Sequence, residues 1–258
     1  MPSQMFRPMA AVLLLTAAAC SGGEQPAVPS GPPPGAERLD PARTGTVSGR
    51  VSFEGEVPEN PLVKISGDPK CMRANEGGLR FENYVVSNGG LDNVFVYVKD
   101  GLGNYYFDVP AEPVRLDQQN CRYVPHVVGL RVGQPLEIGN SDETTHNVHS
   151  LPDVNREFNF AQFVKGQKNV KTFTTAEVMV PFKCDLHGWM NAYIGVLDHP
   201  YFAVTKDGGS FELKDLPAGT YTVEAWHEKA GTQAQQVTIG DKESKTIGFT
   251  FTAAAAAN

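Results

Sequence analysis

The chain has 258 residues, of which 41% are hydrophobic, so it can form two small domains or one large β domain with a real core. Its formal net charge is −7. Phosphate binding needs clustered Lys and Arg, and no basic stripe is present, so we expect no nucleic-acid partner.

The N-terminus has the pattern of a targeting segment. Arg7 precedes a short apolar run, Met9 to Ala19, that is too short to span a bilayer as a helix. Small residues followed by Cys20 resemble a bacterial lipobox. We therefore predict a signal peptide over residues 1–19, lipidation of Cys20 and attachment to the membrane through that lipid. The alternative is an ordinary signal peptide with an incidental Cys, and both alternatives place the mature protein outside the cytoplasm, in a bacterial periplasm or cell envelope.

The remaining chain is predicted to be a flexible tether followed by β structure. Residues 20–45 are rich in Pro, Gly and Ala and lack hydrophobic periodicity, which is typical of a linker. Beyond them apolar and polar residues alternate with period 2, as in Val47 to Phe53 and Ile247 to Phe251. We predict an all-β fold class with β-sandwich architecture.

Two modules are expected within this β region. The run from Tyr201 to Thr252 resembles the carboxypeptidase regulatory-like (transthyretin-like) β-sandwich, and Thr46 to Gly55 resembles its opening strand. We expect an N-terminal β segment over residues 46–82, a domain with the metal motifs over 83–198, and the smaller sandwich over 199–252. Either the smaller sandwich is split in sequence by the inserted middle domain, or residues 46–82 form an independent hairpin.

A candidate ligand set lies in the middle domain. Cys184, His187 and Met190 occupy one short turn, and His146 lies 38 residues before the cysteine. Cys184 has the parity of Val178, Val180 and Phe182, so its sulfur is expected to face inward. One Cys, two His and a weak axial Met are the ligands of a mononuclear blue-copper site.

Zinc is the obvious rival, because Cys and His also bind it. A thioether is a poor zinc ligand, so Met190 favours copper. No open coordination position or general base is evident in the sequence, so we expect a carrier and not an enzyme.

These residues resemble the cupredoxin (blue-copper) family, amicyanin- and plastocyanin-like members. Cys184-x2-His187-x2-Met190 has the short ligand-loop spacing of the amicyanin type, and Asn147 directly follows the first histidine, where the family has an Asn. The resemblance implies a Greek-key β-sandwich, one Cu(I)/Cu(II) ion held by His146, Cys184, His187 and Met190, and Asn147 tying the ligand loops together. It also implies electron exchange at an exposed edge of His187, with Gly188 and Trp189 in the docking surface. His149 could compete with His146 as a ligand if its strand bends.

Cys71 and Cys121 remain. In an oxidising compartment two leftover thiols most often form a disulfide, and we predict one here. A second metal site with Met72 and His126, or free thiols, are the alternatives.

The function expected from the sequence is single-electron transfer by a lipid-anchored type 1 copper protein. The partner would be a c-type cytochrome or a periplasmic oxidoreductase, docked transiently. The alternatives are copper storage or delivery, a non-redox carbohydrate-binding or adhesive module, and copper-nitrite-reductase-like catalysis, for which the sequence offers no convincing second copper site.

Overall fold

The computed structural model describes residues 31–254. The predicted all-β fold class, a β-sandwich plus a further β domain, is confirmed by the sheets of this part of the chain. Among these residues no helix has the length and apolar character needed to cross a bilayer. The predictions for the signal peptide and for Cys20 fall outside the described residues.

The described elements are numbered in chain order. The first group is β1 (Glu37–Arg38), β2 (Thr44–Phe53), α1 (Pro69–Ala74), β3 (Val86–Ser87), β4 (Gly90–Leu91), β5 (Phe95–Asp100) and β6 (Tyr105–Tyr106). The second group is β7 (Val114–Gln119), β8 (Arg122–Val124), β9 (Val127–Arg131), β10 (Leu136–Asn140), β11 (His146–Ser150), β12 (Phe158–Gln162), β13 (Lys168–Lys171), β14 (Glu177–Lys183) and β15 (Asn191–Leu197). The last group is β16 (Phe202–Val204), β17 (Ser210–Pro217), β18 (Gly219–His227), β19 (Gly231–Ile239) and β20 (Ser244–Phe251).

The second group of strands forms the first sandwich, which contains the predicted ligands. One sheet has the order β13-β10-β7-β8 and the other β12-β11-β14-β15-β9. Alternate residues of the strands point inward, so Leu136 and Ile138 pack in one cluster with Val148, Phe182 and Ile194 of the facing sheet. Burial of each such side chain contributes about 1.5–3 kcal/mol to folding.

β1 and β6 form a separate two-stranded parallel sheet. The remaining strands form the second sandwich, with one sheet ordered β17-β2-β4-β3 and the other β16-β5-β18-β19. β20 pairs with β2 in parallel over eight residues, from Thr46↔Ser244 to Phe53↔Phe251. The backbones approach closely at Gly49, where a Cβ would lie 1.9 Å from the carbonyl oxygen of Ile247. Only glycine fits this position without a shift of the backbone.

The sheets divide at a different place from the boundary expected at residue 83. β5 pairs with β16 and β18, so residues 86–100 belong to the second sandwich. β2 also pairs with β17 of that sandwich, and the first sandwich is therefore inserted between β6 and β16. The error arose because four consecutive residues of β5, Phe95 to Val98, are buried and give no period-2 signal.

Two local predictions are also corrected. The linker expected to extend to residue 45 already contains β1, a 3-10 turn at Pro41–Arg43 and the first two residues of β2, Thr44 and Gly45. The 3-10 turn begins at Asp40, whose side chain accepts the N–H of Ala42. Val178 does not share the inward face of Cys184. A bulge with Met179 at φ 66° turns Met179 inward and leaves Val178 38% exposed.

Candidate metal centre

The four predicted ligands lie at one end of the first sandwich. Cys184 follows β14, Met190 precedes β15, and His187 lies in the turn between these strands. His146 begins β11, whose far end pairs with β14. The turn is closed by two backbone hydrogen bonds, from Cys184 N–H to Met190 O (3.1 Å) and from Met190 N–H to His187 O (2.8 Å). The strand pairing and this turn therefore bring residues from distant parts of the chain to one place.

Three of the ligands converge closely. Nδ1 of His146 lies 2.9 Å from Nδ1 of His187, and the Sγ of Cys184 lies 3.8 Å from the same His187 nitrogen. One ligand atom of each of the three residues lies within 4.8 Å of the others, and all three side chains are buried. Met190 is buried in the same core cluster as Cys184.

Asn147 ties the ligand turn to β11, as the family resemblance implied. Its Oδ1 accepts the backbone N–H of Asp185 (2.6 Å) and of Leu186 (3.3 Å), and it lies 3.3 Å from the Sγ of Cys184. Its Nδ2 donates to Asp185 and Asn159. These bonds hold the turn in the conformation that points Cys184 inward.

Each of the two histidines has a carboxylate beside its Nε2, the ring nitrogen that faces away from the centre, and sequence reasoning missed both carboxylates. Nε2 of His146 lies 2.9 Å from Oδ2 of Asp142, and Nε2 of His187 lies 3.2 Å from Oδ2 of Asp68. Asp142 precedes its histidine by four residues, a weak local signal. Asp68 lies 119 residues from its histidine, and nothing in the sequence connects the two.

These contacts determine which nitrogen is free for a metal. Each Nε2 faces a carboxylate, so the two Nδ1 atoms are the nitrogens that point into the centre. They lie 2.9 Å apart, a spacing that either a proton on His146, whose pKa is raised, or a metal ion in its place can satisfy.

The environment changes the pKa values of the same groups. Burial alone would raise the pKa of the Cys184 thiol, but the neighbouring imidazoles of His146 and His187 outweigh burial and lower it to about 6. Burial lowers the pKa of His146, while Asp142 and Cys184 raise it, and the net value is about 9. Cys184 is thus poised as a thiolate, the form that binds metals.

The donor set fits copper better than zinc. A thiolate, two imidazole nitrogens and a thioether are soft or intermediate ligands, which suit copper, whereas closed zinc sites take four strong ligands. The facing Nδ1 atoms are consistent with a metal held by those two nitrogens. His149 is not among the converging residues, because its ring nitrogens bind Asp185 and Glu157 instead.

Cys71 and Cys121 form a disulfide, as predicted, which joins α1 to the first sandwich. Their sulfurs are therefore not metal ligands here. Of the residues in the alternative second site, Met72 is exposed and His126 binds Glu228. The disulfide lies close to the centre, with the Sγ of Cys71 3.9 Å from Nε2 of His187.

The expectation of an exposed His187 edge is wrong. The imidazole is only 5% exposed, because Asp68 and Cys71 cover Nε2 and the Trp189 ring lies 5.1 Å from the His187 ring. Trp189 is half-buried and donates its Nε1–H to the carbonyl of Cys121. Gly188 remains exposed, with open space beside it.

Comparisons with known proteins give partial structural likenesses. No family model and no curated protein matches the chain. A copper(I) variant of amicyanin is 23% identical over 34% of this chain and 86% of its own, with a TM-score of 0.30. An oxidised amicyanin variant is 21% identical over 39% and 97%, with a TM-score of 0.31. A purple cupredoxin from Nitrosopumilus maritimus is 18% identical over 32% and 97%, with a TM-score of 0.28. Likenesses of this size carry no conclusion about function.

Proposed function

We propose that this protein is a type 1 (blue) copper electron carrier that passes single electrons between extracytoplasmic redox partners, and that it is not an enzyme. One observation supports this most directly: the buried convergence of the Cys184 thiol with Nδ1 of His146 and Nδ1 of His187. A bound copper ion would alternate between Cu(I) and Cu(II) and so accept and release one electron.

The protein residues prepare the centre for that exchange. Cys184 supplies a thiolate because its pKa is lowered to about 6, and each histidine points its Nδ1 into the centre. Burial of all three excludes water, and the hydrogen bonds of Asn147 hold the turn. A site held this firmly rearranges little on oxidation or reduction, which favours fast electron exchange.

The ligand turn offers a contact surface for a partner. Leu186 is 58% exposed and Gly188 is exposed, and both belong to the turn that holds His187. A small apolar surface suits transient docking, so we propose that a c-type cytochrome or a periplasmic oxidoreductase binds at Leu186, Gly188 and the edge of Trp189.

The cellular location is part of the proposal. The Cys71–Cys121 disulfide suits an oxidising compartment, and a lipid on Cys20 would hold the protein at the membrane of a bacterial periplasm or cell envelope.

The visible spectrum of the copper-loaded protein tests the function. We expect one copper per chain, an intense thiolate-to-copper absorption that ascorbate bleaches and an oxidant restores, and loss of this colour in Cys184→Ser. Met179→Leu is the matched control, because it also removes a buried sulfur, in a cluster that contains none of the candidate ligands, and should keep the colour. A colourless Cu(II) form that yields copper readily to a chelator would instead indicate storage or delivery. Glycan binding that survives Cys184→Ala would indicate an adhesive module.

A further inference from the structure

We propose that Asp68 and Asp142 are paired positioning residues that hold the two ligand histidines from behind and lower the reduction potential of the centre. This inference rests on the proposed copper function. It concerns two residues that lie outside the ligand set and outside the ligand turn.

Asp142 is built into position behind His146. Its carboxylate receives the Nε2–H of His146 and also the backbone N–H groups of Asn120 (2.7 Å) and Cys121 (2.8 Å). Asn120 and Cys121 have φ values of 53° and 56°, a left-handed conformation that is costly for a cysteine. This strained turn between β7 and β8 makes both amides converge on one carboxylate.

Asp68 is held as firmly behind His187. It is the N-cap of α1, and its Oδ1 accepts the N–H groups of Lys70 (2.8 Å) and Cys71 (3.0 Å). Its Oδ2 accepts the hydroxyl of Thr144 (2.5 Å) and faces Nε2 of His187. Thr144 lies between Asp142 and His146, so the loop that carries Asp142 also contacts Asp68.

The disulfide links the two carboxylates. The amide of Cys71 binds Asp68, the amide of Cys121 binds Asp142, and the sulfurs of these cysteines are bonded to each other. The disulfide therefore fixes α1, which carries the Asp68 contact, to the β7–β8 turn, which carries the Asp142 contact.

The chemical consequence is a stronger ligand pair. A carboxylate that accepts the remote N–H of an imidazole fixes its tautomer and increases the basicity of the other nitrogen. More basic nitrogens and two nearby negative charges stabilise Cu(II) more than Cu(I). Removal of either carboxylate should therefore raise the potential.

The experiment compares Asp68→Asn and Asp142→Asn with Glu143→Gln. Glu143 is exposed in the same loop, so its variant removes one negative charge and no histidine contact. We expect each Asp variant to lose Cu(II) affinity by about 10- to 100-fold, the usual cost of an outer contact. If Cu(I) affinity is unchanged, each tenfold loss raises the potential by about 59 mV. Glu143→Gln should change little, and Asp68→Glu or Asp142→Glu should restore part of the effect.

A second readout does not depend on redox activity. In the full-length Zn²⁺-substituted wild-type protein, long-range ¹H–¹⁵N NMR should show Nε2–H on both His146 and His187, with downfield and slowly exchanging protons. Each Asp variant should lose this signature at one ring only.

The inference is overturned if the wild-type rings lack this signature, or if the Asp variants have the same reduction potential as Glu143→Gln. A blue wild-type protein would in that case leave the proposed function intact. A protein that binds Zn²⁺ with this NMR signature but gives no blue copper form would refute the function and leave the positioning contacts established.

Discussion

Cys184 shows how neighbouring groups outweigh burial for a single side chain. A thiol in apolar surroundings normally has a raised pKa, yet two imidazoles bring this one to about 6. The preceding strand, β14, sets only the inward direction of the side chain, because Cys184 has the same parity as Val180 and Phe182. The reactive form depends on histidines from the ligand turn and from β11.

The thioether of Met190 is expected to lower the reduction potential of the copper-loaded protein. Met190→Leu keeps the volume of a buried side chain but removes the thioether, so we expect copper binding to persist and the reduction potential to rise. Met179→Leu is the control, because Met179 is a buried methionine in a different cluster, beside Phe95. Voltammetry and the visible spectrum would measure both. An unchanged potential and spectrum in Met190→Leu would rule out the axial assignment.

At the scale of elements, α1 is too short to be stable alone. A six-residue helix does not offset the cost of its own nucleation. It forms here because Asp68 caps it, Pro69 begins it and the disulfide of Cys71 fastens it to the β7–β8 turn. Two features that stabilise the helix, the cap and the disulfide, also cover His187.

The Cys71–Cys121 disulfide is expected to stabilise the fold. It joins cysteines 50 residues apart, and its loss in Cys71→Ser/Cys121→Ser should cost about 4 kcal/mol of unfolding free energy by the chain-entropy estimate. Denaturant unfolding of the metal-free protein would measure this loss. Cys184→Ser serves as the control, because it removes a thiol and keeps the disulfide. A double variant as stable as the wild type would show that other contacts hold α1.

At the scale of the whole molecule, a buried contact between a histidine and a carboxylate joins the two sandwiches. Nε2 of His126 lies 2.6 Å from Oε1 of Glu228, and the hydroxyl of Tyr193 donates to Oε2 of Glu228 at 3.1 Å. The ring of Tyr193 also lies 5.0 Å from that of Trp226. Nδ1 of His126 bonds to the carbonyl of Asn191, the residue after Met190. The interface therefore reaches the strand that ends the ligand turn.

Glu228 is expected to stabilise the joined sandwiches in a pH-dependent way. Burial raises the pKa of its carboxyl, but the contacts with His126 outweigh burial, and the net pKa is below the ordinary 4.5. A carboxyl whose pKa is lowered by folding contributes stability above its unfolded pKa and loses it as pH falls through the folded value. We expect Glu228→Gln to reduce the unfolding free energy at pH 7 by about 1–3 kcal/mol, and the difference from wild type to shrink below pH 4.5.

Calorimetry across pH 3–7, roughly the span of the carboxyl titrations, would test this interface. Glu212→Gln is the control, because Glu212 is an exposed carboxylate paired with Lys214 on the second sandwich. Its variant should stay within about 0.5 kcal/mol of wild type. Equal effects of the two variants would show that the Glu228 contacts do not stabilise the joined sandwiches.

Patterns of short range could be interpreted correctly without a structure. Alternation along β2 and β20 predicted strands, and the spacing of Cys184, His187 and Met190 predicted one ligand turn. Patterns failed where burial removed the alternation, as in β5, or where a bulge reversed it, as at Val178. In each failure the deciding neighbour belongs to another strand.

By itself the sequence determined the β character of the chain, the residue types of the candidate ligands and the turn that carries three of them, because these depend on residues a few positions apart. Only the tertiary structure decided that the first sandwich interrupts the second, that α1 closes over His187 and that Asp68 and Asp142 stand behind the two imidazoles. The physical reason is distance along the chain. Strand pairing joins residues as distant in the chain as Phe53 and Phe251, and Asp68 meets His187 across 119 residues. Local periodicity contains no information about such contacts.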